Sequence, residues 1–168
     1  MKLEDKVAVI TGAAQGIGKA MALRFAAEGA KVVIGDLNEE ASTQVAKEIT
    51  DAGGEATIVT GDCATQEGAD ALVERATGKF GKLDILCNNA GVLDGLTPCV
   101  DTTDELWDKV IRVNLTGPML LCRRAIPVML EKYKTDIISI VYKDPNVDYD
   151  EYCVNTFISN AHIAIIVM

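Results

Sequence analysis

Eight consecutive residues, Thr11-Gly12-Ala13-Ala14-Gln15-Gly16-Ile17-Gly18, place three glycines between an apolar β-branched run and a helix-forming stretch. Glycine lets the main chain turn and approach a ligand without a Cβ clash. A helix starting directly behind such a loop offers free N–H groups and the positive end of its dipole, and the combination suits a pyrophosphate. Twenty residues after Gly16, Asp36 ends the second β-branched run, where a carboxylate can accept two hydrogen bonds from ribose hydroxyls or can simply cap the turn into Asn38. Its charge repels a 2′-phosphate. Neither the loop ahead of Lys19 nor the residues directly after Asp36 supply a Lys or Arg to hold one, so the pattern favours NAD over NADP. Asp62, just past the third run, is placed to accept from an adenine amino group, although Gly-Asp after a strand is also ordinary turn chemistry.

These residues need a scaffold, and the chain writes one as alternating periods. Residues 7–11, 32–36, 56–60, 83–87 and 137–141 read as strands, each followed by a stretch of helical period. Helix boundaries are marked by Gly29 after the first, Asn38 before the second with Gly53-Gly54 behind it, and Thr65 before the third. Such βαβ alternation predicts an α/β fold: a Rossmann-type, doubly wound parallel sheet with helices on both faces and ligand sites at the carboxyl ends of the strands. The fourth helical stretch, 103–132, contains Asn114, Thr116-Gly117-Pro118 and Pro127, and is expected to kink. Beyond residue 132 glycine vanishes from the sequence, which marks a compositional break near 133. The closing apolar run, 163–168, is far shorter than the ~20 residues of a membrane helix and reads as a buried strand or a ragged end.

Composition narrows the partners. The 168 residues suffice for a single domain, 1–168, and a net charge of -9 argues against nucleic acid and anionic membrane surfaces and in favour of small molecules. The charged start Met1-Lys2-Leu3-Glu4-Asp5-Lys6 has no secretory pattern, so a cytoplasmic location is expected. Five cysteines at irregular spacing, without a Cys-x-x-Cys pair, read as reduced thiols. His162 is the only histidine, which leaves little from which to build a zinc site or a His-based nucleophile, and no metal is expected. The acidic run 144–151 has alternating oxygen ligands but lacks the sixth-position glycine of a calcium loop and has Asn155 at the twelfth, so it reads as a solvated loop.

Asn88-Asn89-Ala90-Gly91, directly behind the fourth strand, completes a set with the glycine loop, Asp36 and Asp62. In that order and spacing the chain resembles the short-chain dehydrogenase/reductase family, over residues 6 to about 132. The resemblance implies that Gly12, Gln15, Gly16, Ile17 and Gly18 contact the cofactor phosphates, Asp36 and Leu37 the adenosine, Asp62 and Cys63 the adenine, and Asn89, Ala90 and Gly91 the cofactor ribose region. It extends through Arg112-Val113-Asn114-Leu115-Thr116-Gly117, where the family keeps an Asn whose bent helix lets a main-chain carbonyl hold a relay water. Asn114 thus becomes the candidate catalytic residue. The implied activity is hydride transfer between the nicotinamide and an alcohol or carbonyl substrate, in a protein that can form homo-oligomers partly through the long fourth helix.

The pattern departs from the family after residue 132. There the reaction uses a Tyr as general acid/base and a Lys four residues later, because a phenol with pKa near ~10 needs a fixed cation to act at neutral pH. Four residues after Tyr133, Tyr142, Tyr149 and Tyr152 come Ile137, Asn146, Cys153 and Thr156, so no Tyr-x-x-x-Lys is present. With residues 136–142 laid on the family's fifth strand, Tyr142 falls where the catalytic Ser belongs and Ser139 falls three residues early. Tyr142 and Lys143 are adjacent on an extended segment and would point to opposite sides. Two readings result: an NAD-dependent oxidoreductase, or a catalytically impaired, truncated or divergent module that binds the cofactor without turnover. Shortened later strands would leave an unpaired sheet edge and favour self-association.

Overall fold

In β1 (Val7–Thr11) all five residues are buried, and β2 (Lys31–Asp36) buries its central four. Such continuous apolar runs belong to strands covered on both faces. The computed structural model describes residues 1–133, 137–140 and 163–167. It adds β3 (Glu55–Thr60), β4 (Ile85–Asn88), β5 (Ile137–Ile140) and β6 (Ile163–Val167), and the six form one parallel sheet in the order β3-β2-β1-β4-β6-β5. The expected parallel α/β sheet is therefore present. The closing apolar run is a strand, and it inserts between β4 and β5, pairing Ile85 with Ala164 on one side and Ile137 with Ile163 on the other. Strand five, expected to lack flanking partners, is thus paired with β6 on one side and stands at the end of the sheet.

Side chains alternate across β1. Ala8 and Ile10 join α1 (Gly16–Ala27) and α2 (Glu39–Asp51) through Met21, Phe25, Val45 and Ile49. Val7 and Val9 face the other way, against α3 (Gln66–Phe80) and α5 (Gly117–Tyr133), through Leu72, Val73, Leu121 and Met129. This period-2 division is what makes the sheet doubly wound. The boundary signals act as expected: the Asn38 side chain accepts from Ala41 N–H, Thr65 accepts from Gly68 N–H, and Gly29 follows α1 at φ +93°. Strand ends differ by one residue at β2, β3 and β5, and the largest difference is at β4, which begins at Ile85 and not at residue 83. Asp84 stands in front of it and takes the Val7 N–H on its carboxylate at 2.7 Å.

The long fourth helical stretch is interrupted. α4 (Asp104–Ile111) passes into a π-helical turn, Arg112–Thr116, before α5 begins at Gly117. Pro118 has no N–H to give the carbonyl four residues earlier, which is that of Asn114, so a regular α-ladder cannot run through this point.

At the opposite side β3 is an edge strand, the kind of template on which other chains can add. Two cations one helical turn apart on α3 cover it: Arg75 donates to Ile58 O at 3.0 Å and Lys79 to Ala56 O at 3.2 Å. The double substitution Arg75→Ala, Lys79→Ala should change stability by about 1 kcal/mol, because both main-chain contacts are exposed and only the Arg75 bond to Thr57 Oγ1, at 3.1 Å, is part-buried. It should nevertheless raise self-association, visible as larger species in light scattering with a melting temperature lowered by only about 2–4 °C.

Candidate functional site

The carboxyl ends of β1, β2 and β4 bring three loops together, and the three glycines of the first loop have different neighbours there. A Cβ at Gly18 would lie 2.2 Å from Gly12 O and 2.5 Å from Asn89 Nδ2, so this position exists to let α1 pack on the β1 and β4 ends. Gly12, at φ +64°, would bring a Cβ within 2.9 Å of Ala90 Cα. Gly16, at φ +55°, has nothing within 4 Å of such an atom. It opens onto free space in front of the first turn of α1. That turn also differs from the starts of α2, α3 and α4, which are capped by Asn38, Thr65 and Thr103 side chains: Gln15 gives no side-chain cap, and the first turn of α1 carries no acid. Uncapped N–H groups, a positive dipole end and a missing Cβ are what a pyrophosphate requires, so these residues fit that group. Ile17 and Leu37, at 45% and 72% exposure, add apolar surface nearby in sequence, after Gly16 and after Asp36.

Asp36 ends β2 with both oxygens engaged. Oδ2 accepts from Ala14 N–H and Oδ1 from Asn38 N–H, each at 3.0 Å. The carboxylate therefore fixes the glycine loop and starts the turn toward α2, while each oxygen keeps a second lone pair for an outside donor. No ion pair engages it among the described residues. The loop after β4 is bolted to β1 in a similar manner. Thr11 Oγ1 accepts from the Asn89 and Ala90 N–H groups at 3.1 and 3.0 Å, and Asn89 Nδ2 donates to Thr11 O and Gly12 O at 2.8 and 3.1 Å. Asn89 thus spends its amide hydrogens on the end of β1 and the glycine loop, while Ala90 packs against Gly12.

Beside these lies the turn after β3. Burial alone would raise the Asp62 carboxyl, but the Ala64 N–H on Oδ1 and the Arg112 guanidinium on Oδ2 outweigh it and hold it below the usual carboxylate range. Burial pushes the neighbouring Cys63 thiol up to about 11, with the Asp62 charge adding to it, so it stays protonated and weakly nucleophilic at neutral pH. The π turn that carries Arg112 also carries Asn114. Its carboxamide pairs with the main chain of Val92, accepting from Val92 N–H and donating to Val92 O, both at 2.8 Å. Gly91 sits against this pair, with its absent Cβ position 3.4 Å from Asn114 Oδ1. Asn114 therefore holds the loop after β4 through its side chain, and its main-chain carbonyl lacks an α-helical donor because the residue four ahead is Pro118.

Sequence reasoning missed Arg112, whose partner lies fifty residues away. It also missed buried Asn88, which donates to Cys122 Sγ at 3.5 Å; no short motif signals either contact. Ser139 lies within β5, whereas Tyr142, Lys143 and the acidic run 144–151 fall outside the described residues. A cavity of about 490 Å³ between the 94–103 segment and α4, lined by Cys99, Leu106, Trp107 and Val110 among others, shares no residue with the cradle. Among the described residues no group of three or more His, Cys, Asp or Glu could hold a metal ion.

Comparison with known proteins places this arrangement. The short chain dehydrogenase family profile matches residues 6–153, past the compositional break. A short chain dehydrogenase/reductase, dpmpG, of Macrophomina phaseolina is 42% identical over 135 residues, which cover 80% of this chain and 77% of that protein. 3beta-hydroxysteroid dehydrogenase 2 of Eggerthella lenta is 36% identical over 81% of this chain, which spans only 52% of that enzyme's length. The crystal structure of a metagenomic short-chain oxidoreductase in complex with NADP superposes with a TM-score of 0.76 at 34% identity, covering 89% of this chain and 68% of the other. By its glycine cradle, its Asn-Asn-Ala-Gly loop and these matches, the chain belongs to the short-chain dehydrogenase/reductase family of oxidoreductases.

Proposed function

We propose that this chain binds NAD and serves hydride transfer between the nicotinamide and an alcohol or carbonyl substrate. The nicotinamide-cofactor chemistry comes with the family, and the preference for NAD rests on one observation. Asp36 presents a braced carboxylate at the carboxyl end of β2 with one lone pair free on each oxygen and, among the described residues, no cation paired to it. Two ribose hydroxyls can donate there, whereas a 2′-phosphate would meet its charge. The metagenomic neighbour is in complex with NADP, so the preference is argued from Asp36 and not from family membership.

Other residues divide the remaining work. Gly16 and the free N–H groups of the α1 start hold the pyrophosphate, with Gly12, Gln15, Ile17 and Gly18 shaping that loop. Leu37 flanks the adenosine with Asp36, Asp62 accepts from the adenine amine beside Cys63, and Asn89, Ala90 and Gly91 wall the cofactor ribose region. Asn114 steadies the loop behind Gly91, and its main-chain carbonyl offers a water an acceptor in a proton path. When bound, the nicotinamide itself supplies or takes the hydride. The exposed side chains Trp107, Leu115 and Met119 suit the fourth helix to contact with a second copy. A cytoplasmic setting agrees with Cys63, Cys87, Cys99 and Cys122 being free thiols; among the described residues no helix is long and apolar enough to cross a membrane.

A second reading, a binding module without turnover, is favoured by the absence of a Tyr-x-x-x-Lys from these 168 residues. One set of measurements separates them. NAD and NADP titrations should show preference for NAD; Asp36→Ala should weaken NAD about tenfold or more and narrow the gap to NADP by a similar factor. Unchanged affinities for both would remove Asp36 from the ribose site. Turnover of secondary alcohols with NAD, lost in Asn114→Ala, supports the oxidoreductase, and tight binding with no turnover supports the module.

A further inference from the structure

We infer that Arg112 is a positioning residue for the adenine end of the cofactor groove, fixing the Asp62 carboxylate so that it selects a 6-amino purine. The inference rests on the cofactor reading above and goes beyond it in naming the residue that makes the selection possible.

The two carboxylates at the carboxyl edge of the sheet are built to one plan. Asp36 has one main-chain donor per oxygen, Ala14 N–H and Asn38 N–H. Asp62 has a main-chain donor on Oδ1 alone, Ala64 N–H at 2.9 Å, and its Oδ2 is held by Arg112 from the π turn. In both cases the carboxylate is fixed in one orientation with one acceptor direction left on each oxygen. An ionised carboxylate accepts from a 6-amino group and repels a carbonyl oxygen, whereas a protonated acid could donate to the carbonyl; holding the ionised group in one orientation aims its acceptor at the amino position and sharpens the difference. Arg112 adds to the Ala64 N–H on both counts, favouring the ionised form and holding the second oxygen, and a planar guanidinium does so with directional hydrogen bonds as well as charge.

A second contact makes this brace rigid. Where the π turn ends, a Cβ on Gly117 would lie 3.1 Å from Ala64 Cβ and 3.2 Å from Ala64 Cα. The turn after β3 is therefore gripped at both ends of the π segment, by the ion pair at Arg112 and by close packing at Gly117. An isolated exposed ion pair would contribute little. This one closes a ring of contacts between two segments that are each anchored, so its geometry is set in advance of any ligand. Arg112 itself has 46% of its side chain exposed, and its replacement should leave the fold intact.

The test uses the full chain with three probes: AMP, inosine monophosphate, in which a carbonyl replaces the 6-amino group, and nicotinamide mononucleotide, which lacks the purine. The native chain should prefer AMP to inosine monophosphate by about tenfold or more. Arg112→Ala should reduce that ratio to about threefold or less, Arg112→Lys should recover part of it, and affinity for nicotinamide mononucleotide should stay constant throughout. A ratio unchanged in Arg112→Ala, a native chain that binds AMP without preferring it, or a parallel loss for all three probes would each overturn the inference. Absence of AMP binding by the native chain would instead overturn the cofactor reading beneath it.

Discussion

Gly16→Ala should leave the protein folded but cost it at least tenfold in NAD affinity, whereas Gly18→Ala, two residues on, should damage the fold itself. At Gly16 a methyl group meets no protein atom within 4 Å, so the only folding penalty is the positive φ of +55°, about 1 kcal/mol. The methyl group would stand in the space that a pyrophosphate must occupy against the α1 start, and an anion pushed outward loses its contact with those N–H groups. At Gly18 the methyl group would overlap Gly12 O at 2.2 Å and Asn89 Nδ2 at 2.5 Å. The first is main chain at the end of the central strand and cannot swing aside. Separating α1 from that loop should cost about 3 kcal/mol or more, at the upper end of overpacking effects. Circular dichroism melts and calorimetric NAD titrations of the two variants check this directly. Equal losses of stability in both would contradict the division of roles among the glycines.

Asp84→Ala is expected to damage the fold strongly although it lies away from the cradle. Asp84 is 1% exposed, and its Oδ2 accepts from Val7 N–H at 2.7 Å and pairs with Lys82 Nζ at 3.1 Å. Val7 is fully buried, so its orphaned N–H would find no water, at a cost of about 1–3 kcal/mol. Lys82, largely covered, would lose its counter-charge as well. Together these amount to about 3 kcal/mol, or a fall in melting temperature on the order of 10 °C for a chain of this size. Because the contact lies where β1 and β4 begin, opposite the cradle, NAD affinity below the transition should not change. Asp84→Asn keeps an acceptor and should recover roughly half of the loss. A melting temperature within about 1 °C of native for Asp84→Ala would show that the interaction is dispensable.

What could be read from the residues follows how local each signal is. β1, β2 and the glycine loop are legible because apolar runs, turn glycines and caps act within a few residues of one another. Asp36 was legible for the same reason, since its place at a strand end follows from spacing. The interruption in the fourth helix was foreshadowed by Asn114 and Pro118, but its form, a π turn, depends on the pairing of Asn114 with Val92. Long-range choices were not legible. Nothing in an apolar pentad says that residues 163–167 pair with β4 and not with solvent or another strand, because parallel pairing is specified by packing on both faces and not by the strand's own letters. Arg112 reads as an ordinary helix-surface cation until Asp62 is placed against it. Asp84 likewise reads as a polar break at a strand start, and only the register with β1 shows that its carboxylate substitutes for a main-chain acceptor.

The side-chain bolts among Thr11, Asp36 and Asn89 have a thermodynamic consequence. Loops that carry binding groups usually lose conformational freedom when a ligand arrives, and that loss subtracts from affinity. Here the Asn89 and Ala90 amides are held by Thr11 Oγ1, and the Ala14 amide by Asp36, so the chain's own side chains already restrain them. These amides should exchange slowly with solvent deuterium although they lie in loops, and dinucleotide association should approach a rigid-body encounter with little entropic penalty from the protein. Thr11→Val would keep the shape of β1 while releasing two of those amides, turning a preset groove into one that must be ordered at each binding event.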